Sequence, residues 1–430
     1  MLKNKIVKNA SWIIGCKIIQ SILGLIISMF TARYLGPSNY GIINYASSLV
    51  TFVAPIMNLG LSNILVNEVV QRPEEEGKIF GTAVGVSLIG ALGCIVGVTG
   101  FAYVANRNST ETIIVCALYS LLLIFQAVDL VQYWFQAKYL SKYTSIVAVV
   151  AYFCVALYKI FLLATGKSIR WFAVANSIDF MIIAGALLVI YKKCGGMKME
   201  FSLPVAKRML SSSRHYILSS MMINMFSQSD KIMITLMIGE EYTGFYSAAV
   251  ACAGITNFVF AAIIDSARPN IFSSQKSGDL VAFESNVSDL YSIITYLSLA
   301  QCVGITILAK PIILILYGKA YMPAVAALQV IVWYSTFAYF GSVRNIWILA
   351  EQKQKYLWIM NLSGALINIV LNLVLIPIWG IIGAAVASLA TQIFTNVIVG
   401  FIIKPIRRNN LLMWKGLDAR RLVRLVKKLR

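Results

Sequence analysis

The sequence predicts an all-α integral membrane protein, with twelve transmembrane helices in two six-helix halves related by a pseudo-two-fold axis along the membrane normal. Three observations lead there. Hydrophobic residues make up 59% of the 430, charged residues only 13%, and mean hydropathy is +0.78, which is membrane-protein composition. The apolar residues fall into runs of the ~20 residues needed to cross a bilayer. The chain also echoes itself at an offset of 203 residues: Gly36, Gly41 and Ala46 return as Gly239, Gly244 and Ala249, each time at a turn between two apolar runs.

The runs place spans at 10–31, 41–66, 80–104, 112–136, 143–164, 169–191, 214–237, 244–265, 291–308, 325–349, 357–378 and 380–402. Lys and Arg divide 27 to 6 between alternate loops, with four more inside spans, which sets both termini on the cytoplasmic side. Six spans per half is even, so both halves enter the membrane in the same sense and a path can run between them. The expected division is 1–205 for the first bundle, 206–403 for the second and 404–430 for a basic cytoplasmic tail. In that tail Leu422, Leu425, Val426 and Leu429 share one face and six Arg and Lys residues surround the other. An interfacial helix on anionic inner-leaflet lipid is expected there.

Several function classes are excluded. The net charge of +20 does not point to nucleic acid, because the basic residues sit between apolar runs and in the tail. No CxxC occurs among the seven cysteines, so neither a disulfide framework nor a zinc site is indicated. No metal or cofactor is expected. The single histidine, His215, has no partner motif, and Thr165-Gly166-Lys167-Ser168 lacks the first glycine of a phosphate loop. The short loops leave no room for a catalytic domain, so the chain is not expected to be an enzyme. Lys3, Lys5 and Lys8 precede a run that contains Lys17 and is too long for a signal peptide; it reads as a retained first span.

Transport chemistry is read from polar residues inside spans, which are costly there and mark cavities or partners. Lys17, Ser21, Gly24 and Ser28 lie three and four apart on one face of span 1; their counterparts in span 7 are Ser220, Asn224, Ser227 and Lys231. Lys17, Ser21, Ser28, Asn224, Gln228, Lys231 and Arg344 are the candidate substrate-binding residues. Lys17 and Lys231 differ in depth by about 16 Å at 1.5 Å per residue, which suits an anion handed inward to outward. Asp129, Asp179, Asp230 and Lys159 are candidates for ion coupling or charge balance, and Lys159 with Asp179 is equally well a structural pair. Gly24 and Pro55 mark gating positions. Span 7 and the run after it lack both, Phe258 standing in place of Pro55, so the first half is expected to supply most of the motion.

The stretches ARYLGPSNYGIINYASSLV, QSDKIMI…TGFYSAA and NIVLNLVLIPIWGIIGAAVASL resemble bacterial polysaccharide repeat-unit flippases. These form the O-antigen (Wzx-type) branch of the multidrug/oligosaccharidyl-lipid/polysaccharide exporter superfamily. The resemblance implies a cavity that opens alternately to either side of the bacterial inner membrane and a polyprenyl-diphosphate-linked oligosaccharide as substrate. It implies that cavity cations meet the diphosphate, that polysaccharide polymerase and chain-length proteins are partners, and that no catalytic residue is present. An ion-coupled drug antiporter of the same superfamily is the alternative. It would favour acidic over basic cavity residues.

Overall fold

The computed structural model describes residues 2–422 and Arg424. For residues 2–22, His215, Leu218 and Ser219 it describes helical backbone only. Lys17 and Ser21 therefore fall outside the described side chains, as does the end of the tail, with its expected lipid-facing helix, outside the described residues. Every regular element among those described is helical: α1 (Leu2–Asn58), α2 (Leu65–Gln71), α3 (Glu76–Ala105), α4 (Thr110–Ser120), α5 (Leu122–Val128), α6 (Gln132–Ala137), α7 (Ser141–Ala164), α8 (Ile169–Lys193), α9 (Leu203–Ile238), α10 (Glu240–Ala253), α11 (Asn257–Lys276), α12 (Leu280–Leu316), α13 (Ala324–Ala350), α14 (Leu357–Ile393), α15 (Val399–Ile402) and α16 (Arg407–Gly416). Among the described residues eight helices are long and apolar enough to cross a membrane, or nine if α10 and α11 are one bent span. Large apolar side chains stand exposed along them, Ile89 and Val96 on α3 and Ile307 and Ile315 on α12, as lipid contact requires.

Two of the long helices are pairs joined at a glycine. α1 breaks at Gly36 (φ 73°, ψ 172°) and α14 at Gly380 (φ 59°, ψ −135°). Gly239, between α9 and α10, takes nearly the same conformation as Gly36, φ 110° and ψ 167°. A side chain there is strained, so the echo in sequence is an echo in backbone. A hydroxyl clasp closes each turn. Ser28 Oγ lies 3.0 Å from the Tyr40 hydroxyl, and Thr235 Oγ1 lies 2.7 Å from Thr243 Oγ1. Thr243 is the counterpart of Tyr40. Tyrosine is longer and reaches a helical turn deeper than threonine, so the second clasp uses 235 and leaves position 231 to lysine.

The chain forms two compact units, Met1–Ile232 and Met233–Arg430. The boundary lies inside α9, whereas the sequence suggested a division at 205/206. The first stretch of α9 belongs to the first unit because Val205 and Met209 enter one of its cores, with Leu65, Phe80, Trp134 and Tyr191. Trp134 meets Phe135 and Tyr191 edge-on at 4.9 and 5.0 Å. The main core of this unit gathers Tyr45, Leu49, Val98, Val115, Leu123 and Phe172, with Ile232 against it.

The segment before α9 is strapped down. A Cβ at Gly77 would stand 2.2 Å from the Lys198 carbonyl, and one at Gly81 2.4 Å from the Glu200 nitrogen. Gly85, four further on, lies under the Phe201 ring. This stripe on α3 lets main chain lie against helix, held by Glu200 N–H to Gly77 O (3.1 Å) and Ser202 N–H to Thr82 Oγ1 (2.9 Å). Arg208 adds ion pairs to Glu68 (3.3 Å) and Glu75 (2.6 Å).

The second unit packs around Phe260, Tyr291, Phe340, Trp347 and Met360. The helix break in this unit falls at a place where the first unit has none. α1 remains helical through Pro55, while α10 and α11, which occupy the corresponding place, meet at 44° across a short break. Gln301 Nε2 donates to the Ala253 carbonyl at that break, at 3.3 Å. Helix α16 is clamped to α12 by Arg408 and Lys415 on Glu284 (2.9 and 3.4 Å) and by a buried contact between Asn409 and the Tyr291 hydroxyl. Arg421 beyond it pairs with Asp289 at 2.6 Å.

Candidate functional site

In the first unit the polar face of α9 carries Asn224, Ser227, Gln228, Asp230 and Lys231. Asn224 Nδ2 donates to the Thr51 carbonyl at 2.7 Å. That carbonyl is the one Pro55, four residues on, cannot serve, having no N–H. Asn224 therefore restores a missing rung of α1. Ser227 donates to the Asn224 carbonyl at 3.2 Å, and Gln228 Nε2 to Ser227 Oγ at 3.1 Å. Asp230 is buried and Lys231 half-buried, as the ~100° step between successive helical residues demands. Ser28, on α1, has its hydroxyl engaged by Tyr40.

A second polar centre lies among α5 to α8. Regular α geometry gives way to a tighter turn at Asp129–Val131. Asp129 is buried; Gln132 Nε2 donates to its Oδ2 at 2.6 Å. Its Oδ1 and the Oδ1 of Asp179 are buried with no hydrogen-bond partner. Lys159 Nζ approaches Asn176 Oδ1 at 3.4 Å, and Asn176 Nδ2 donates to the Tyr119 hydroxyl at 2.6 Å. Lys159 turns to this amide and stays outside ion-pair distance of Asp179, though each lies within the other's electrostatic reach. A Cβ at Gly24 would stand 2.6 Å from the Tyr152 hydroxyl oxygen. Gly24 thus admits Tyr152 from α7 against α1, a packing role.

In the second unit Arg344 is buried and turned into the core. After α14 the helix widens into a π turn, Phe394–Ile398, which releases carbonyls from their usual partners. Arg344 Nη1 donates to the Thr395 carbonyl at 2.7 Å, and Asn410 of α16 donates to the Val397 carbonyl. The intramembrane amides pair within their own helices, Asn372 with Asn368 (3.1 Å) and Asn396 with Gln392. Asp265 and Arg268 pair at 3.0 Å.

Beside Arg344, but not lined by it, α11 and α13 enclose a cavity of about 480 Å³. Asn257, Asp265, Arg268, Tyr334, Ser335, Tyr339, Ser342 and Asn345 give it polar groups, and Ala261, Ile264, Ile346 and Leu349 an apolar floor. Apart from Asp265 and Arg268 these residues are neutral, so no intramembrane charge marks them. Their signal was Ser335, Tyr339 and Ser342, four and three apart on one face of span 10.

Two units of packed apolar helices, with carboxylates, lysines and amides inside them, define a membrane transporter fold. The family model described as "Polysaccharide biosynthesis protein" matches residues 6–275, and the chain belongs to that family. It is 21% identical over 411 residues to the "Putative O-antigen transporter" of Escherichia coli (strain K12), covering 91% of this chain and 94% of that protein. Among solved structures it is similar to the lipid II flippase MurJ in an inward closed conformation, with a TM-score of 0.74 at 17% identity, covering 94% of this chain and 90% of that one. It is also similar to an inward-facing multidrug resistance transporter of the MATE family and MOP superfamily, with a TM-score of 0.71 at 13% identity, covering 91% and 95%.

Proposed function

We propose that the chain is a flippase. It carries a polyprenyl-diphosphate-linked oligosaccharide, an O-antigen or other surface-polysaccharide repeat unit, from the cytoplasmic to the outer leaflet of the bacterial inner membrane. The observation that carries this reading is a lysine, Lys231, half-buried on the polar face of α9, in a chain from the polysaccharide biosynthesis family. A diphosphate crossing the bilayer needs cations at membrane depth, and a lysine on the seventh predicted span supplies one. Lys17 and Lys231 meet the diphosphate in turn. Ser21, Ser28 and Gln228 add polar contacts, while Asn224 and Arg344 act by holding helix geometry. Asp129, Asp179 and Asp230, with Lys159, balance the field or carry a coupling ion.

Alternating access runs through twelve spans, counting each glycine-broken helix as two crossings, the bent pair as one and α9 as one, with both termini cytoplasmic. Pro55 and the bend after Ala253 are the pivots, and Gly24 the close contact that slides. On the cytoplasmic side Leu411 and Trp414 stand exposed on α16 beside Arg407 and Lys415, an arrangement suited to anionic lipid. Polymerase and chain-length proteins take up the flipped unit.

The test is complementation of a transporter-null strain. Lys231→Ala is expected to abolish surface polysaccharide and leave protein level normal, with lipid-linked repeat units accumulating in the membrane. Full complementation by Lys231→Ala would remove the handed-over-anion mechanism. Accumulation of no lipid-linked intermediate in the null strain itself would remove the flippase reading.

A further inference from the structure

We infer that the cavity between α11 and α13 is a sugar subsite, which reads the hydroxyls of the oligosaccharide and leaves the diphosphate to the lysines. This rests on the flippase reading and adds to it a second, uncharged binding element within the second unit. A volume of about 480 Å³ lies within the range of small-molecule sites. The lining decides the class of ligand. Its only full charges, Asp265 and Arg268, are paired with each other at 3.0 Å. No cation is left over for a diphosphate, which needs uncompensated charge and bidentate donors.

Amides and hydroxyls are the other polar groups, and each can both donate and accept. A pyranose has the matching surface, with hydroxyls around the rim and C–H groups on the faces. The wall is also preorganised. The Tyr339 ring stacks on Phe260 with centroids 4.0 Å apart and planes at 10°. Its hydroxyl donates to Asn257 Oδ1 at 2.7 Å, which fixes the orientation of that amide and directs its NH₂ away from Tyr339. A binding group held by packing loses less freedom when a ligand arrives. Ser342 and Asn345 are exposed on the α13 wall, so a ligand reaches them without disturbing the core. Ser342 Oγ donates to the Ala338 carbonyl at 3.3 Å and Asn345 Oδ1 accepts from Arg344 at 3.5 Å, which leaves the serine oxygen's lone pairs and the Asn345 NH₂ for water or a polar ligand.

The experiment is equilibrium binding to the full chain in lipid nanodiscs with two probes. One is undecaprenyl diphosphate; the other is undecaprenyl diphosphate carrying the repeat unit, extracted from cells that make the polysaccharide. The wild type is expected to bind the glycosylated probe about tenfold more tightly, the worth of one or two hydrogen bonds. Ser342→Leu and Asn345→Leu should each erase that advantage and leave affinity for the bare diphosphate unchanged. Both positions are exposed, and unchanged binding of the bare probe reports that each variant is folded. If both variants keep the advantage, or if they lose affinity for the bare probe, the subsite is overturned while the flippase reading stands. A wild type that binds neither probe fails the flippase reading, and the subsite falls with it.

Discussion

The second span of the first unit and its counterpart in the second unit start from opposite sequences and end in opposite shapes. The first contains Pro55, the strongest helix breaker, and stays helical. The second has Phe258 at the corresponding place and its one proline, Pro269, well beyond the break, yet its two helices meet at 44°. The difference lies in who receives the orphaned carbonyls. At Pro55 the Thr51 carbonyl is served by Asn224 from another helix at 2.7 Å, so the rung is replaced and the helix runs on. After Ala253 the Gln301 side chain takes the carbonyl in place of a main-chain donor, at 3.3 Å, and the helix stays broken. In a bilayer, where an unserved carbonyl costs several kcal/mol, a helix bends according to the partner offered as much as the residue that causes the gap.

The largest expected effect comes from the boldest replacement in the second unit. Arg344→Ala leaves the Thr395 carbonyl of the π turn unserved and opens a cavity. Stability should fall by about 2–3 kcal/mol, read as a lower melting temperature in detergent. Wild-type stability in that variant would mean that the π turn needs no external donor, and the contrast between the units would lose one side.

A smaller loss is expected at the turns both units share. Gly36→Ala and Gly239→Ala each force a side chain into a conformation that costs on the order of 1–3 kcal/mol, and the two losses should be alike. Unequal losses would show that the echoed turns carry different loads.

Asn224→Leu should cost least, about 0.5–1.5 kcal/mol, but it is the sharpest probe. Pro55→Ala supplies an N–H for Thr51, so in that background Asn224→Leu should cost almost nothing. A double-mutant cycle on thermal stability measures this coupling. Additive losses would refute the repair.

Much of this architecture was legible in the chain. Composition pointed to the all-helical membrane class, and the 203-residue echo marked both glycine turns, whose positive φ the structure supplies. Charged residues within spans located the polar centres. Partnership was not legible, because it depends on which faces meet in three dimensions. Asn224 has the same sequence signature whether it faces a substrate or patches Thr51. Arg344 has the same signature whether it lines a cavity or caps a π turn, a feature that no residue type announces. Gly77, Gly81 and Gly85 were visible at four-residue spacing, but the strap they receive is main chain, which carries no pattern. The cavity between α11 and α13 was not legible because most of its residues are neutral and its two charges, Asp265 and Arg268, satisfy each other.

The flippase proposal turns on Lys231 meeting an anionic lipid-linked substrate as it crosses the bilayer. The most direct measurement is transfer of lipid-linked oligosaccharide in liposomes containing the purified chain, scored by access of a glycosidase added outside. Wild type and Lys231→Arg should expose the oligosaccharide, and Lys231→Ala should slow exposure at least tenfold at equal protein incorporation. Equal rates for wild type and Lys231→Ala would contradict the claim.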